Sequence, residues 1–248
     1  MKKFIAIILS VLFVFSLSAC RKKREEKPAP TKAPSSTQDK IESIAYPVPV
    51  FDNSEHSSSI LGARYNFTLE EFTELLNLAC VEVLGNTTEA LFDYSLWELV
   101  SDSVVDESGM EYMSYCYDFD MVKITAAVEK DSNKVMSVSC GASYEQFQNN
   151  DATFEQDVIF TSAVVAMAAN GYHKDDVEFL FYIFYDSAKN NIRFYYHNAL
   201  YMMDYVKNEG DTPVVMFTTS MIDSSKTEEW KLTDYTKYDN TFSNIKSN

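Results

Sequence analysis

Two segments with the same start signal, 85 residues apart, most constrain how this chain can fold. The first opens at Phe67-Thr68-Leu69-Glu70-Glu71-Phe72. A threonine N-cap with glutamate three positions later is the capping-box spacing, in which each side chain satisfies the other residue's backbone N–H. Phe67 and Phe72 hold the two staple positions around it. Phe72, Leu75, Leu76, Ala79, Cys80, Val83 and Leu84 then recur at helical period on one face, and Gly85-Asn86 stops the run. The second segment opens at Thr153-Phe154-Glu155-Gln156, continues through Ala163, Val164, Met167 and Ala168, and ends at Asn170-Gly171. It is apolar on more of its circumference, so it is expected to be the more buried helix.

The segments after the two helices are similar in kind. After the first come an apolar stretch around Trp97–Val100, then Asp102-Ser103, then a run carrying Tyr112, Tyr115 and Tyr117. A strand pattern from Val122 to Glu129, a turn at Asp131-Ser132-Asn133 and a strand from Val135 to Ala142 complete that half. After the second come Val177–Tyr185, Asp186-Ser187, a run carrying Tyr195, Tyr196 and Tyr201, a turn near Asn208–Asp211 and a strand from Val214 to Ser220. This order implies an α+β fold with antiparallel sheet and two main helices. It reads as a degenerate tandem repeat of a helix plus three or four strands, or as two unrelated α+β halves. The halves are set at 46–150 and 151–235, with a frayed tail at 236–248.

Strand patterning separates dry faces from wet ones. Val122, Ile124, Ala126 and Val128 alternate with Lys123, Thr125, Ala127 and Glu129, so one face is buried and one is wet. Val177–Tyr185 is apolar on both faces and reads as a covered central strand, or as an aromatic face offered to a partner. The chain holds 16 Tyr and 17 Phe. Tyr182, Tyr195, Tyr196 and Tyr201 are the candidate binding surface, since tyrosines on an open sheet face can stack on sugar rings or anchor a protein.

The residues that carry chemistry are sparse. His56, His173 and His197 have no second histidine at metal-ligand spacing, and the six glycines form no phosphate loop. The sequence contains neither HExxH nor GxSxG. Asp118-Phe119-Asp120 and Asp175-Asp176-Val177-Glu178 lack the alternation, glycine and distal glutamate of a calcium loop. No metal or cofactor is implied. Of the cysteines, Cys80 lies on the apolar face of the first helix. Cys116 and Cys140 fall in strands of one half and are a candidate disulfide if those strands are neighbours.

The N-terminus sets the location. Met1-Lys2-Lys3 precedes an apolar run from Phe4 to Leu17, shorter than the roughly 18 residues that a spanning helix needs. The run ends in Leu17-Ser18-Ala19-Cys20. This tetrapeptide resembles the lipobox of bacterial lipoproteins, and the resemblance covers only the first 20 residues. It implies removal of residues 1–19 as a signal peptide and acylation of Cys20, which becomes the N-terminus. Arg21, Lys22, Lys23 and Arg24 come immediately after it. A basic patch beside an acyl chain strengthens membrane residence, by about 1 kcal/mol per charge at an anionic surface. Residues 20–45, with Pro28, Pro30 and Pro34, then form a flexible tether averaging about 28 Å end to end.

Charge narrows the partners. From residue 41 on there are 12 Lys+Arg against 34 Asp+Glu. So anionic a body repels nucleic acid, whose binding rests on phosphate neutralisation. The expected partners are the lipid bilayer through Cys20 and an envelope protein or glycan. The expected place is the extracytoplasmic face of a cell membrane. High Lys, Asn and Tyr with few Gly lean towards a Gram-positive host. The leading expectation is a non-catalytic binding or interaction role at the cell envelope. The alternative is an envelope hydrolase, for example a carbohydrate-active one, with dispersed carboxylates.

Overall fold

A computed structural model describes residues 50–51, 63–84, 92–105, 111–119, 122–143, 152–170, 191–196, 199–206, 214–222 and 226–235. The leader, Cys20, the tether, the Val177–Tyr185 run with Tyr182, and all three histidines lie outside them. The elements in chain order are β1 (Val50–Phe51), β2 (Ala63–Arg64), α1 (Leu69–Leu84), a 3-10 turn (Tyr94–Leu96), β3 (Glu98–Val105), β4 (Glu111–Phe119), β5 (Val122–Glu129), β6 (Val135–Ser143), α2 (Ala152–Asn170), β7 (Ile192–Tyr196), β8 (Ala199–Val206), β9 (Val214–Met221), α3 (Lys226–Glu229) and β10 (Thr233–Asp234).

The fold is α+β. Eight strands form one sheet in the order β10-β7-β8-β9-β6-β5-β4-β3, antiparallel throughout except for the parallel β10–β7 pair; β1 and β2 make a separate two-stranded ladder. The meander β3–β6 comes from the first half and the meander β7–β9 from the second. They join where β6 pairs with β9, over seven partners from Ser137↔Ser220 to Ser143↔Val214. Each half therefore contributes a helix followed by a meander, and each meander places its last strand at the centre of the sheet.

α1 begins where its sequence signal stands, whereas α2 begins at Ala152, ahead of the Thr153 that the sequence reads as its cap. Thr68 N donates to Glu71 Oε2 at 2.6 Å and Glu71 N donates to Thr68 Oγ1 at 3.3 Å, the reciprocal pair of the capping box. The Phe67 and Phe72 rings stack at 5.7 Å, so the staple closes. α2 packs against β6, β9 and α1. From Val158 to Asn170 every residue of α2 but Phe160 is buried, as its wide apolar circumference requires. The row Ala163, Val164, Val165, Ala166, Ala168 and Ala169 keeps the helix thin enough to sit close to the sheet.

One apolar cluster joins Phe72, Leu76 and Ala79 of α1, the buried face of α2, and Ile124, Val138, Cys140, Tyr201 and Phe217 of the sheet. Burying each such large side chain contributes about 1.5–3 kcal/mol. In β5 burial alternates residue by residue, as its sequence predicts. The β5–β6 turn holds Asn133 at φ 56°, a left-handed position that asparagine tolerates, and Asn133 N donates to Glu129 O at 2.9 Å. Arg64 then clips β2 to that turn through Glu129, at 2.5 Å.

Candidate interaction surface

Of the tyrosines singled out from the sequence, the three among the described residues do not form an open face. Tyr195, Tyr196 and Tyr201 are all buried, at 6%, 1% and 0% exposure. The Tyr201 ring stacks on Phe194 at 4.9 Å and leans on Phe217 at 6.2 Å. Tyr195 belongs to a second apolar cluster on the other side of the sheet. There it packs with Leu200, Met202, Val214, Met216 and Ile222 under Trp230 and Leu232. The cause is that the second meander is apolar on both faces, so both faces are covered. Tyrosine is the material of the core here, with no sequence signal to separate it from a surface role.

The bridge between Cys116 and Cys140 does not form. β5 lies between their strands, which sets them about 9.5 Å apart in the sheet, beyond the roughly 7 Å that a disulfide allows. Register adds a second reason. Cys116 stands opposite Thr125 and Cys140 opposite Ile124, adjacent residues of β5 that point to opposite faces. Cys80 packs in the α1 core as expected, and burial pushes its thiol up to about 11.

Among the described residues several carboxylates are held by cations. Asp118 reaches Lys123 at 3.4 Å on the surface, and Glu111 is held by Lys130 at 2.6 Å and Ser103 at 2.7 Å. Asp204 differs in being buried, on β8 with Arg193 at 3.7 Å, and burial raises its pKa above the ordinary 3.8 against the pull of that guanidinium. Among the described residues no group of three or more His, Cys, Asp and Glu is placed to hold a metal ion, and no helix is long and apolar enough to cross a membrane.

The open surface lies at the other end of the sheet. Among the described residues the exposed large apolar side chains all fall between Tyr94 and Val105. Tyr94 is 45% exposed, Leu96 40%, Leu99 51% and Val105 62%. They occupy the 3-10 turn and β3, the outermost strand. The turn is fixed from behind. Asp93 caps it by accepting from Ser95 N at 2.9 Å. Asn77 of α1 clamps Phe92 with two backbone bonds at 2.9 Å. Trp97 donates its indole N–H to Thr73 at 2.9 Å. Tyr94, Leu96 and Leu99 are thus presented outward by a rigid base.

β3 pairs with β4 alone among the described strands, and its register shifts twice, between Leu99 and Ser101 and between Ser101 and Val104. Residues opposite one another share a face, so Leu99 (opposite Tyr115) and Val105 (opposite Glu111) lie on the helix-facing side, and Glu98 (opposite Cys116) lies on the other. Trp97–Val100 gives an apolar signal in the sequence, but apolar residues that stay in solvent at an edge look the same there as buried ones.

No protein-family model, no curated protein and no solved structure matches the chain.

Proposed function

We propose that this protein is a lipid-anchored binding module of the cell envelope, held through Cys20 on the extracytoplasmic face of the membrane and engaging another envelope component without catalysis. The single observation that supports the binding role is the concentration of exposed apolar side chains on one sheet edge, from Tyr94 to Val105. Soluble domains scatter such residues singly, whereas the four described here all fall on one edge of the sheet. The placement is supported by Leu17-Ser18-Ala19-Cys20 after a short apolar run and by the basic residues directly behind it. The tether of residues 20–45 gives the body a reach of tens of ångströms from the bilayer.

The test is made in the cell of origin. Mass spectrometry of the native protein is expected to find an N-terminal acylated Cys20, and Cys20→Ser is expected to move the body from the membrane fraction to the soluble one. Retention of residues 1–19 on the mature chain, or a bare Cys20 thiol, would refute the anchor. Crosslinking on intact cells that joins the body to lipid and to nothing else would refute the binding role.

A further inference from the structure

Building on that binding role, we infer that β3 is a strand-addition site whose occupant is an extended, cationic segment of another protein, with apolar residues at alternate positions. Three independent features define it. The first is backbone. An edge strand offers a row of N–H and C=O groups to any extended chain laid beside it. β3 is eight residues long and has no described neighbour on its outer side. The opposite edge differs, since β10 lies along β7 there.

The second feature is apolar. Leu99 and Val105 stand near the two ends of β3 on the helix-facing side, and Tyr94 and Leu96 lead into it. An added strand would set every second side chain on that side, so its apolar residues would meet Leu99 and Val105. Its alternate residues would fall on the side of Glu98.

The third feature is charge, and it selects the occupant. No lysine or arginine occurs between Arg64 and Lys123, a stretch that contains thirteen Asp and Glu. Asp93, Glu98 and Asp102 are exposed on or beside β3. The nearby cation, Lys130, is bonded to Glu111. Pairing β3 with β3 of a second copy would oppose two strips that carry acids and no bases, which is unfavourable. The chain's own basic segment, residues 21–40, supplies charge but is broken by Pro28, Pro30 and Pro34 and has few apolar residues to meet Leu99 and Val105. A cationic strand from a different protein satisfies backbone, apolar side chains and charge together.

The experiment uses the mature full chain and a synthetic nine-residue peptide of alternating lysine and valine, with a nine-residue scramble of lysine and valine around a central proline as control. Three results together support the site. Peptide addition protects backbone amides of 98–105 from hydrogen exchange. The proline control does not. Glu98→Lys combined with Asp102→Asn weakens binding by about tenfold, and Leu99→Ser with Val105→Ser by a similar factor, while thermal stability stays unchanged. Equal binding of both peptides, or protection elsewhere in the chain, overturns strand addition at β3. A concentration-dependent dimer abolished by the same variants makes a second copy the occupant and overturns the proposal. So does protection of 98–105 that is already present without peptide and disappears when residues 21–40 are deleted.

A photo-crosslinking residue placed at Ser103, and separately at Glu228 on the far side of the sheet, then distinguishes this inference from the broader role in cells. A product at Ser103 that maps to a lysine- or arginine-bearing segment supports the site. Products at Glu228 alone overturn the site and leave the binding role standing. Absence of any protein product at either position overturns both.

Discussion

Replacing Tyr65 by phenylalanine removes one oxygen atom and opens a closed ring of hydrogen bonds at the centre of the molecule. Tyr65 Oη lies 3.2 Å from Asn170 Oδ1 and 3.3 Å from Thr219 Oγ1, and Asn170 Nδ2 donates to Thr219 Oγ1 at 3.0 Å and to Ala166 O at 3.1 Å. An amide oxygen only accepts and an amide nitrogen only donates. Tyr65 therefore donates to Asn170, Asn170 donates to Thr219, and Thr219 is left to donate back to Tyr65. All three residues are fully buried, and burial drives the Tyr65 phenol well above its ordinary 10.0, so the donor role holds across any working pH.

In Tyr65→Phe the Asn170 carbonyl loses its donor in a place water does not reach. An orphaned buried acceptor costs about 1–3 kcal/mol. Taking about 2 kcal/mol, a single domain of this size should lose roughly 4–8 °C in Tm. Urea unfolding should show a lower midpoint with an unchanged slope, because no surface is newly exposed. Thr219→Val removes the acceptor of Asn170 and the donor to Tyr65 together, so the double variant should fall short of the summed single losses by about 1 kcal/mol. A Tyr65→Phe protein within about 0.5 kcal/mol of the parent, or single losses that simply add, would refute the closed ring.

Other perturbations test the same kind of buried group. Ser220 is 1% exposed and its Oγ has no hydrogen-bond partner, so Ser220→Ala should leave stability unchanged or raise it by about 1 kcal/mol in urea unfolding. Thr218→Val, two pairs along the ladder, breaks the 2.8 Å bond to Ser139 and should cost about 1 kcal/mol in the same assay. Thr68→Ala removes the cap of α1 and should also cost about 1 kcal/mol. Two carboxyls give opposite pH slopes. Glu71, held below its ordinary 4.5 chiefly by the Thr68 N–H, stabilises the fold above that value and loses this as pH falls through its folded value. Asp204, raised by burial, binds its proton more tightly when folded, so it destabilises progressively as pH rises from 3.8 through its raised value. Asp204→Asn should therefore raise Tm at pH 7, with the gain fading as pH approaches 3.8. Finally, burial lifts Cys140 to about 12 and Cys80 to about 11, so a thiol reagent at pH 8 should label the native protein only as fast as it opens. Denatured, unreduced protein should yield reactive thiols at both Cys116 and Cys140.

Local signals carried the parts of the fold that are set locally. Thr68 and Glu71 are three residues apart, and they make in the structure the two bonds that their spacing predicts. The helix at 152–170, the hairpin turn at Asp131–Asn133 and the alternation of β5 are likewise decided within a few residues. The features that were not legible depend on partners far away in sequence. Ser139 meets Thr218 across 79 residues, and that β6–β9 junction is what merges the two meanders into one sheet. Whether Tyr195, Tyr196 and Tyr201 face solvent is settled by what covers each side of that sheet. β7 and β8 taken alone carry no such information. The candidate disulfide failed for the same reason, since adjacency of β4 and β6 is a property of strand order, and β5 stands between them.

The two ends of the sheet then explain each other. Among the described strands the sheet is open, ending in β10 on one side and β3 on the other, and an open edge is a template for uncontrolled pairing. At one edge a short parallel strand from the C-terminal segment, anchored by Leu232 and Trp230 in the apolar cluster beside it, occupies β7. At the other, β3 has no described neighbour on its outer side and carries exposed leucine and valine, two register shifts and a surrounding stretch without cations. Bulges and charge are the usual protection against self-pairing, but apolar side chains left on the same strand work against that protection. The combination makes sense if the edge is closed to its own kind and open to a chain of opposite charge. Acid residues then act as a filter rather than as a cover. Neutralising Glu98 and Asp102 together should therefore increase self-association of the purified body while decreasing its affinity for a cationic strand, and analytical ultracentrifugation beside peptide titration reads both. If the two quantities move in the same direction, charge is not what selects the partner of β3.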